Sequence, residues 1–223
     1  MHISRLWAEH HPIPELDEGL LGIGESAPRL SFAVDASLPA PVEGEPEEGP
    51  AGYRLTVSGP SRETTTVALA PDETQYQPWP GSPLASRERV EVQVDAVDRD
   101  GVVLASGAWQ IEAGLLSPSD WTATMITPGV AEAADATGVV HGFRREFSLD
   151  TTVVSARLYA TSLGLYQFWL NGCVVGDQVL APGWTSYAHR LRYQTYDVTD
   201  LLIEGGNELI AAVGEGWYRG RIG

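Results

Sequence analysis

The sequence predicts an all-β protein made of two tandem β-sandwiches. Glycine and proline are frequent, with 24 and 15 among 223 residues, and this composition favours many turns. Several short segments alternate apolar and polar residues with the two-residue period of a half-buried strand. No long segment shows the period of an amphipathic helix. The length suffices for two small domains, which we predict at residues 1–116 and 117–223.

The first predicted domain reads as a fibronectin-III or immunoglobulin-like sandwich. In residues 89–98, Val90, Val92 and Val94 share one face, and the turn at 99–101 leads into a returning strand. About seven short strands at this spacing, in a chain whose single cysteine allows no intrachain disulfide, are typical of such sandwiches. The clearest strand candidates are residues 28–35, 52–59, 64–70, 89–98 and 102–114. The proline- and acid-rich stretch 39–50 cannot pack and predicts a mobile loop.

A second β domain is predicted after the Ser-Pro-Ser-Asp linker at 117–120. Its small-residue loop covers 127–138, a capped helical turn covers 197–202, and a tight turn at 205–207 leads into the last strand. The predicted strands are residues 121–126, 141–150, 155–162, 165–172, 191–198 and 207–214.

The charge of the chain excludes some partners and allows others. A formal net charge of −16 makes nucleic acid and anionic membranes improbable partners, whereas a neutral sugar is compatible with it. No apolar run approaches the roughly 20 residues that a membrane span requires. The first residues lack the basic and apolar regions of a signal peptide, so we predict a cytoplasmic protein.

No catalytic or metal-binding set emerges from the residues. The carboxylates Asp177, Asp197, Asp200 and Glu215 have no spacing that pairs them for glycoside hydrolysis, and Asp197 and Asp200 read as turn and cap residues. Cys173 follows an Asn-Gly turn, where small residues fit. The five histidines show no metal-ligand spacing. We therefore assign no catalytic residue, no metal site and no cofactor.

Aromatic residues crowd the last third of the chain. Sugars stack the C–H groups of their apolar face on such rings, while their hydroxyls need polar partners at the rim. Trp184 and Tyr187 lie in a predicted loop, where exposure and packing are equally expected, and Asp177 and Asn171 are acceptors nearby in sequence. These four residues form the candidate substrate-binding set. Strand positions favour core packing for Trp169, Tyr193 and Tyr196.

The motifs APGWTSY at 181–187, YQTYDVTDLL at 193–202 and GWYRGR at 216–221 carry a family resemblance. With FRREFSLD at 143–150, they resemble the N-terminal β-sandwich region of bacterial α-L-rhamnosidases of glycoside hydrolase family 78. The preceding strands resemble the fibronectin-III-like domain found ahead of it in these enzymes. The resemblance implies that residues 117–223 form a galactose-binding-like jelly roll that is incomplete at its C-terminus.

This resemblance also implies a function. In that family the catalytic carboxylates lie on a downstream (α/α)6 barrel that releases terminal α-L-rhamnose with inversion. The chain would then be a non-catalytic N-terminal fragment, inactive alone, that recognises rhamnose-containing glycosides or braces its own catalytic barrel. Some related domains bind rhamnose with calcium, which leaves calcium as an option without an assigned ligand set.

Two other functions are compatible with the sequence besides that of a rhamnosidase fragment. The chain could be a stand-alone carbohydrate-binding or adhesion module, or the sugar-binding domain of another glycosidase, such as a β-galactosidase. A helical barrel encoded downstream would support the rhamnosidase reading, and a stop codon would support the free module. An incomplete jelly roll predicts open sheet edges at 191–198 and 207–214, with self-association through them.

Overall fold

Strands and turns make up the described part of the chain, which contains two short 3-10 helices and no α-helix. A computed structural model describes residues 1–13, 19–35, 49–129 and 138–219. The chain divides into two compact units, Met1–Thr122 and Ala123–Gly223. The predicted all-β class is confirmed. No helix among the described residues is long and apolar enough to cross a membrane.

The first unit is a sandwich of two sheets. A three-stranded sheet has the order β2-β1-β4, and a five-stranded sheet has the order β3-β8-β7-β5-β6. All strand pairs are antiparallel except β3 with β8. The strands are β1 (His2–Ala8), β2 (His11–Ile13), β3 (Leu20–Ile23), β4 (Leu30–Asp35), β5 (Gly52–Gly59), β6 (Arg62–Leu69), β7 (Arg89–Val97) and β8 (Val103–Ala113).

Alternating side chains of both sheets form the core of the first unit. Val90, Val92 and Val94 are fully buried on β7, as the alternation predicted. Leu6 on β1 and Leu55 on β5 are buried in the same core. Since burial of apolar surface is the main favourable term in folding, this core stabilises the first unit without a disulfide.

The described residues of the second unit, 123–129 and 138–219, form six strands. Its four-stranded sheet has the order β12-β11-β14-β9, and β10 pairs with β13 in a separate ladder. Tyr166, Leu170, Tyr196 and Val198 are among its buried core residues. The strands are β9 (Val140–Leu149), β10 (Arg157–Ala160), β11 (Leu165–Leu170), β12 (Cys173–Val174), β13 (Gln194–Asp197) and β14 (Gly205–Gly214).

Three predicted elements differ from the structure. The prediction that residues 207–214 form an open edge is wrong, because β14 pairs with β11 on one side and with β9 on the other. Residues 121–126 form no strand, and Ile126 is exposed. The predicted linker at 117–120 contains a 3-10 helix, Pro118–Asp120, capped by Ser117.

Other predictions were right or fall on residues that are not described. The predicted helical turn at 197–202 is present as a 3-10 helix, Thr199–Leu201. The loops predicted at 39–50 and 127–138 lie mostly outside the described residues. Self-association stays a prediction.

Candidate functional site

Two carboxylates of the second unit, Asp197 and Glu208, are paired with arginines. Asp197 accepts hydrogen bonds from the backbone N–H of Thr199 (2.9 Å) and its hydroxyl (2.6 Å), and it lies 2.8 Å from Nη1 of Arg157. The predicted turn role of Asp197 is therefore confirmed. Glu208 forms an ion pair with Arg144 across the β9–β14 pair. These contacts indicate a structural role for both carboxylates.

Among the described carboxyl groups, three have shifted pKa values, and each of these is lowered. A side-chain hydrogen bond is the largest cause at Glu9, Glu88 and Asp120, and it favours the ionised form. The donors are Arg29, Arg62 and Ser86, respectively. A general acid in glycoside hydrolysis needs a raised pKa, so these three groups do not suit that role.

No metal site is apparent in the part of the chain that the structure describes. Within it, no group of three or more histidine, cysteine, aspartate or glutamate side chains could hold a metal ion. Cys173 is an exposed free thiol on β12. These side chains therefore offer no set of calcium ligands, which would be clustered oxygens.

The loop 181–190 is held by hydrogen bonds to the core of the second unit. The backbone N–H of Tyr166, on β11, donates to the carbonyl of Ala181 (2.9 Å). Nε2 of Gln194, on β13, donates to the carbonyl of Pro182 (3.2 Å). Two strands therefore fix the point where the loop begins.

The side chains behind this loop form a buried polar network. The Tyr166 hydroxyl donates to Oε1 of Gln194 (2.6 Å) and lies 3.1 Å from the Tyr196 hydroxyl. Burial raises the pKa of both tyrosines, so both hydroxyls stay protonated at neutral pH. The network orients the Gln194 amide that holds Pro182.

Hydrogen bonds within the loop hold its C-terminal half, residues 185–190. The Thr185 hydroxyl donates to the carbonyl of Arg190 (2.7 Å). The backbone N–H groups of His189 and Arg190 both donate to the carbonyl of Ser186 (2.8 and 2.9 Å). With both ends held in this way, the loop presents its side chains from a defined backbone.

Trp184 and Tyr187 differ in their exposure on this loop. The Trp184 side chain is 63% exposed. Tyr187 is half-buried, and its ring packs edge-on against Tyr218 with centroids 5.4 Å apart. Its hydroxyl is buried and has no hydrogen-bond partner among the described residues. We call Trp184, Tyr187 and Tyr218 the aromatic loop surface.

Asp177 lies in the stretch that leads to this loop. It is exposed, and its charge contributes to the raised pKa of Tyr196. Gly176 has φ +70°, and the Tyr196 ring leaves no room there for a Cβ atom. The chain therefore passes close to the Tyr196 ring just before Asp177.

Asn171 lies at the opposite end of β11 from the part that contacts the loop. The start of β11 contacts the loop at Ala181, whereas Asn171 follows its end, roughly 16 Å along the strand from Tyr166. Its Nδ2 donates to Asn207 Oδ1 (2.7 Å) and the Leu201 carbonyl (2.8 Å). Its Oδ1 also accepts from a backbone N–H of β14. The structure thus separates it from Trp184, and its predicted sugar contact stays a prediction.

Sequence reasoning missed the residues that support the loop. Gln194 and Tyr166 hold it through hydrogen bonds between strands distant in sequence. A polar glutamine between aromatic strand residues was the available signal. The contact of Tyr187 with Tyr218 was also not predicted.

The fold defines the chain as a tandem β-sandwich protein, and comparisons with known proteins identify its family. Residues 4–117 match the Rha78A-like, N-terminal immunoglobulin domain. Residues 151–223 match the α-L-rhamnosidase N-terminal domain. The chain belongs to this family of rhamnosidase N-terminal domains, and the predicted resemblance is confirmed.

Individual relatives agree with this assignment. An α-L-rhamnosidase of Alteromonas sp. (strain LOR) is 30% identical over 216 residues, which cover 91% of this chain and 23% of that protein. One from Formosa agariphila is 38% identical over 154 residues, covering 65% of this chain and 16% of its own length. The crystal structure of native α-L-rhamnosidase from Aspergillus terreus shares 40% identity with a TM-score of 0.84, covering 100% of this chain and 25% of that one. The chain therefore spans about a quarter or less of these relatives.

Proposed function

We propose that this chain is the non-catalytic N-terminal part of an α-L-rhamnosidase. The relatives named above are α-L-rhamnosidases, and the chain corresponds to a small share of their length. Within the described residues, Asp197 and Glu208 are paired with arginines. The general acid and base of an inverting hydrolysis would then belong to a separate catalytic barrel.

We further propose that the second unit contacts the rhamnoside through the aromatic loop surface. The observation that carries this proposal is Trp184, which is 63% exposed on a loop held at both ends. An exposed aromatic ring offers a large apolar surface on which a ligand or a partner can pack. A backbone that is already ordered reduces the entropy lost on binding.

The surroundings of Trp184 suit a neutral sugar. The ring offers a flat apolar face for the C–H side of a pyranose, while Arg190 and Arg192 are exposed and carry donors for hydroxyl groups. Asp177 adds an acceptor on the route into the loop. An apolar surface with a few polar groups is the usual composition of a small-molecule site.

Trp184→Ala is expected to weaken binding of methyl α-L-rhamnopyranoside about tenfold or more, because it removes the exposed ring of the surface. Isothermal titration calorimetry of both chains would measure the change. Val154→Ala is the matched control, because Val154 is 93% exposed and lies outside the loop. Its affinity should equal that of the unchanged chain.

The binding measurements distinguish sugar recognition by the second unit from a role in bracing the catalytic barrel. If the Trp184→Ala chain binds the sugar as well as the unchanged chain, the loop has a structural role. If neither binds, the second unit braces the catalytic barrel. Exposed Val179 and Leu180, beside the loop, favour bracing as the second candidate, because purely apolar side chains suit a protein partner.

A further inference from the structure

The first unit carries a second exposed aromatic residue whose backbone is strained. Tyr76 has φ +52°, in the left-handed region that side chains with a Cβ atom rarely adopt, and its side chain is 61% exposed. Non-glycine residues in this region persist only when surrounding contacts hold them, and they concentrate at binding sites.

Hydrogen bonds to β4 hold the backbone around Tyr76. The N–H and carbonyl of Gln77 pair with Leu30 (2.7 and 2.8 Å). The carbonyl of Thr74 accepts from the N–H of Phe32 (2.9 Å). Between these points Tyr76 donates its own N–H to the Ser31 hydroxyl (2.9 Å). The segment is fixed on both sides of the strained residue.

Glu9, a second residue with a positive φ, holds the Arg29 guanidinium beside the Tyr76 ring. The Arg29 guanidinium lies 5.3 Å from the centre of the Tyr76 ring. Glu9, at φ +55°, accepts from Nε (3.1 Å) and Nη2 (2.5 Å) of Arg29 and from its backbone N–H (2.8 Å). Two residues in the left-handed region therefore converge on one arginine and set the position of the aromatic ring.

We propose that Glu9, Arg29 and Tyr76 form a binding site for a neutral saccharide on the first unit. Arg29 lies over the ring, and the exposed part of the ring offers an apolar surface to the C–H side of a pyranose. Nη1 of Arg29 makes no hydrogen bond to any described residue, so it can donate to a sugar hydroxyl. Gln75, which precedes Tyr76 in the chain, is exposed and carries an amide donor and acceptor.

Charge selects a neutral ligand over a charged one. Residues 1–115 contain 19 acidic residues and seven arginines, so an anion is repelled from this unit. The carboxylate of Glu9 already neutralises Arg29, which leaves no net positive site for an anion. A cation would meet the guanidinium beneath the ring. A hydroxyl-rich neutral molecule with one apolar face fits these conditions.

The test uses the full chain carrying Trp184→Ala, so that the aromatic loop surface of the second unit does not contribute. Methyl α-L-rhamnopyranoside and cellobiose are titrated while the backbone amide signals of Gln75, Tyr76 and Gln77 are followed by NMR. We expect at least one sugar to cause saturable shifts at these amides. Tyr76→Phe should keep the response, because it retains the ring.

Tyr76→Gly is the decisive variant. Glycine adopts a positive φ without strain, so the chain keeps its fold while it loses the ring. We expect the sugar to bind about tenfold or more weakly to this variant. The site is ruled out if neither sugar shifts the amides of the ring-containing chain, or if Tyr76→Gly leaves the affinity unchanged. Either result stands independently of the site around Trp184.

Discussion

Arg62→Ala is expected to lower the free energy of unfolding of the first unit by about 3–5 kcal/mol, because the Glu88 carboxylate loses its charged partner and keeps the hydrogen bond from the Ala85 N–H. Nε of Arg62 lies 2.7 Å from Oε1 of Glu88, and the two side chains are only 5% and 11% exposed. The guanidinium also donates to the carbonyls of Ser82 and Pro83 (3.3 Å each) and lies over the Trp79 ring. Urea unfolding followed by tryptophan fluorescence measures the loss.

Arg144→Ala is the matched control for this substitution. Arg144 pairs with Glu146 and Glu208 at the surface, where ion pairs contribute less than about 1 kcal/mol. Equal losses of stability for Arg62→Ala and Arg144→Ala would show that the Arg62 pair is not buried in solution.

The stability lost in Arg62→Ala should depend on pH. The Arg62 hydrogen bond lowers the pKa of Glu88 in the folded chain, so its contribution is fully present above the ordinary carboxyl pKa of about 4. As the pH falls through the lowered pKa, Glu88 takes up a proton and this contribution is lost. The difference between Arg62→Ala and the unchanged chain should therefore narrow in acid.

Asn207→Ala is expected to destabilise the second unit by about 2–4 kcal/mol, because it removes several buried hydrogen bonds and leaves their partners unsatisfied. Asn207 is 4% exposed. Its Nδ2 donates to the carbonyls of Ile203 (2.7 Å) and Gly205 (3.0 Å). Its Oδ1 accepts from the Ile203 N–H (3.0 Å) and from Asn171 (2.7 Å).

Hydrogen exchange of residues 201–208 measures this effect locally, and urea unfolding measures it globally. Ser148→Ala is a control on the neighbouring strand, since Ser148 is exposed opposite Gly206 and should change stability by less than about 0.5 kcal/mol. Unchanged amide protection in Asn207→Ala would contradict a role for this side chain in holding the turn.

The sequence revealed the strands whose side chains alternate without interruption. In β7, Val90, Val92 and Val94 are buried, as their spacing predicted. Strand β1 was missed because a register shift between Ile3 and Arg5 breaks the alternation. Residues 121–126 were predicted as a strand, yet they pair with no described strand.

The candidate sites, too, could be predicted from the sequence only where a local pattern marks them. Loop residues such as Trp184 can be recognised because proline and glycine precede them. The Tyr166–Gln194 hydrogen bond joins two strands, so no local pattern predicts it. A positive φ at Tyr76 is equally invisible, because the residue type does not favour it.

Incubating the purified chain with 4-nitrophenyl α-L-rhamnopyranoside tests recognition without hydrolysis most directly. Saturation-transfer NMR detects binding in the same sample in which released 4-nitrophenol reports cleavage. We expect saturation to reach the ring protons of the rhamnose, and no 4-nitrophenol to accumulate. Release that survives rigorous removal of host glycosidases would contradict the non-catalytic role, and absence of saturation transfer would contradict sugar recognition by this chain.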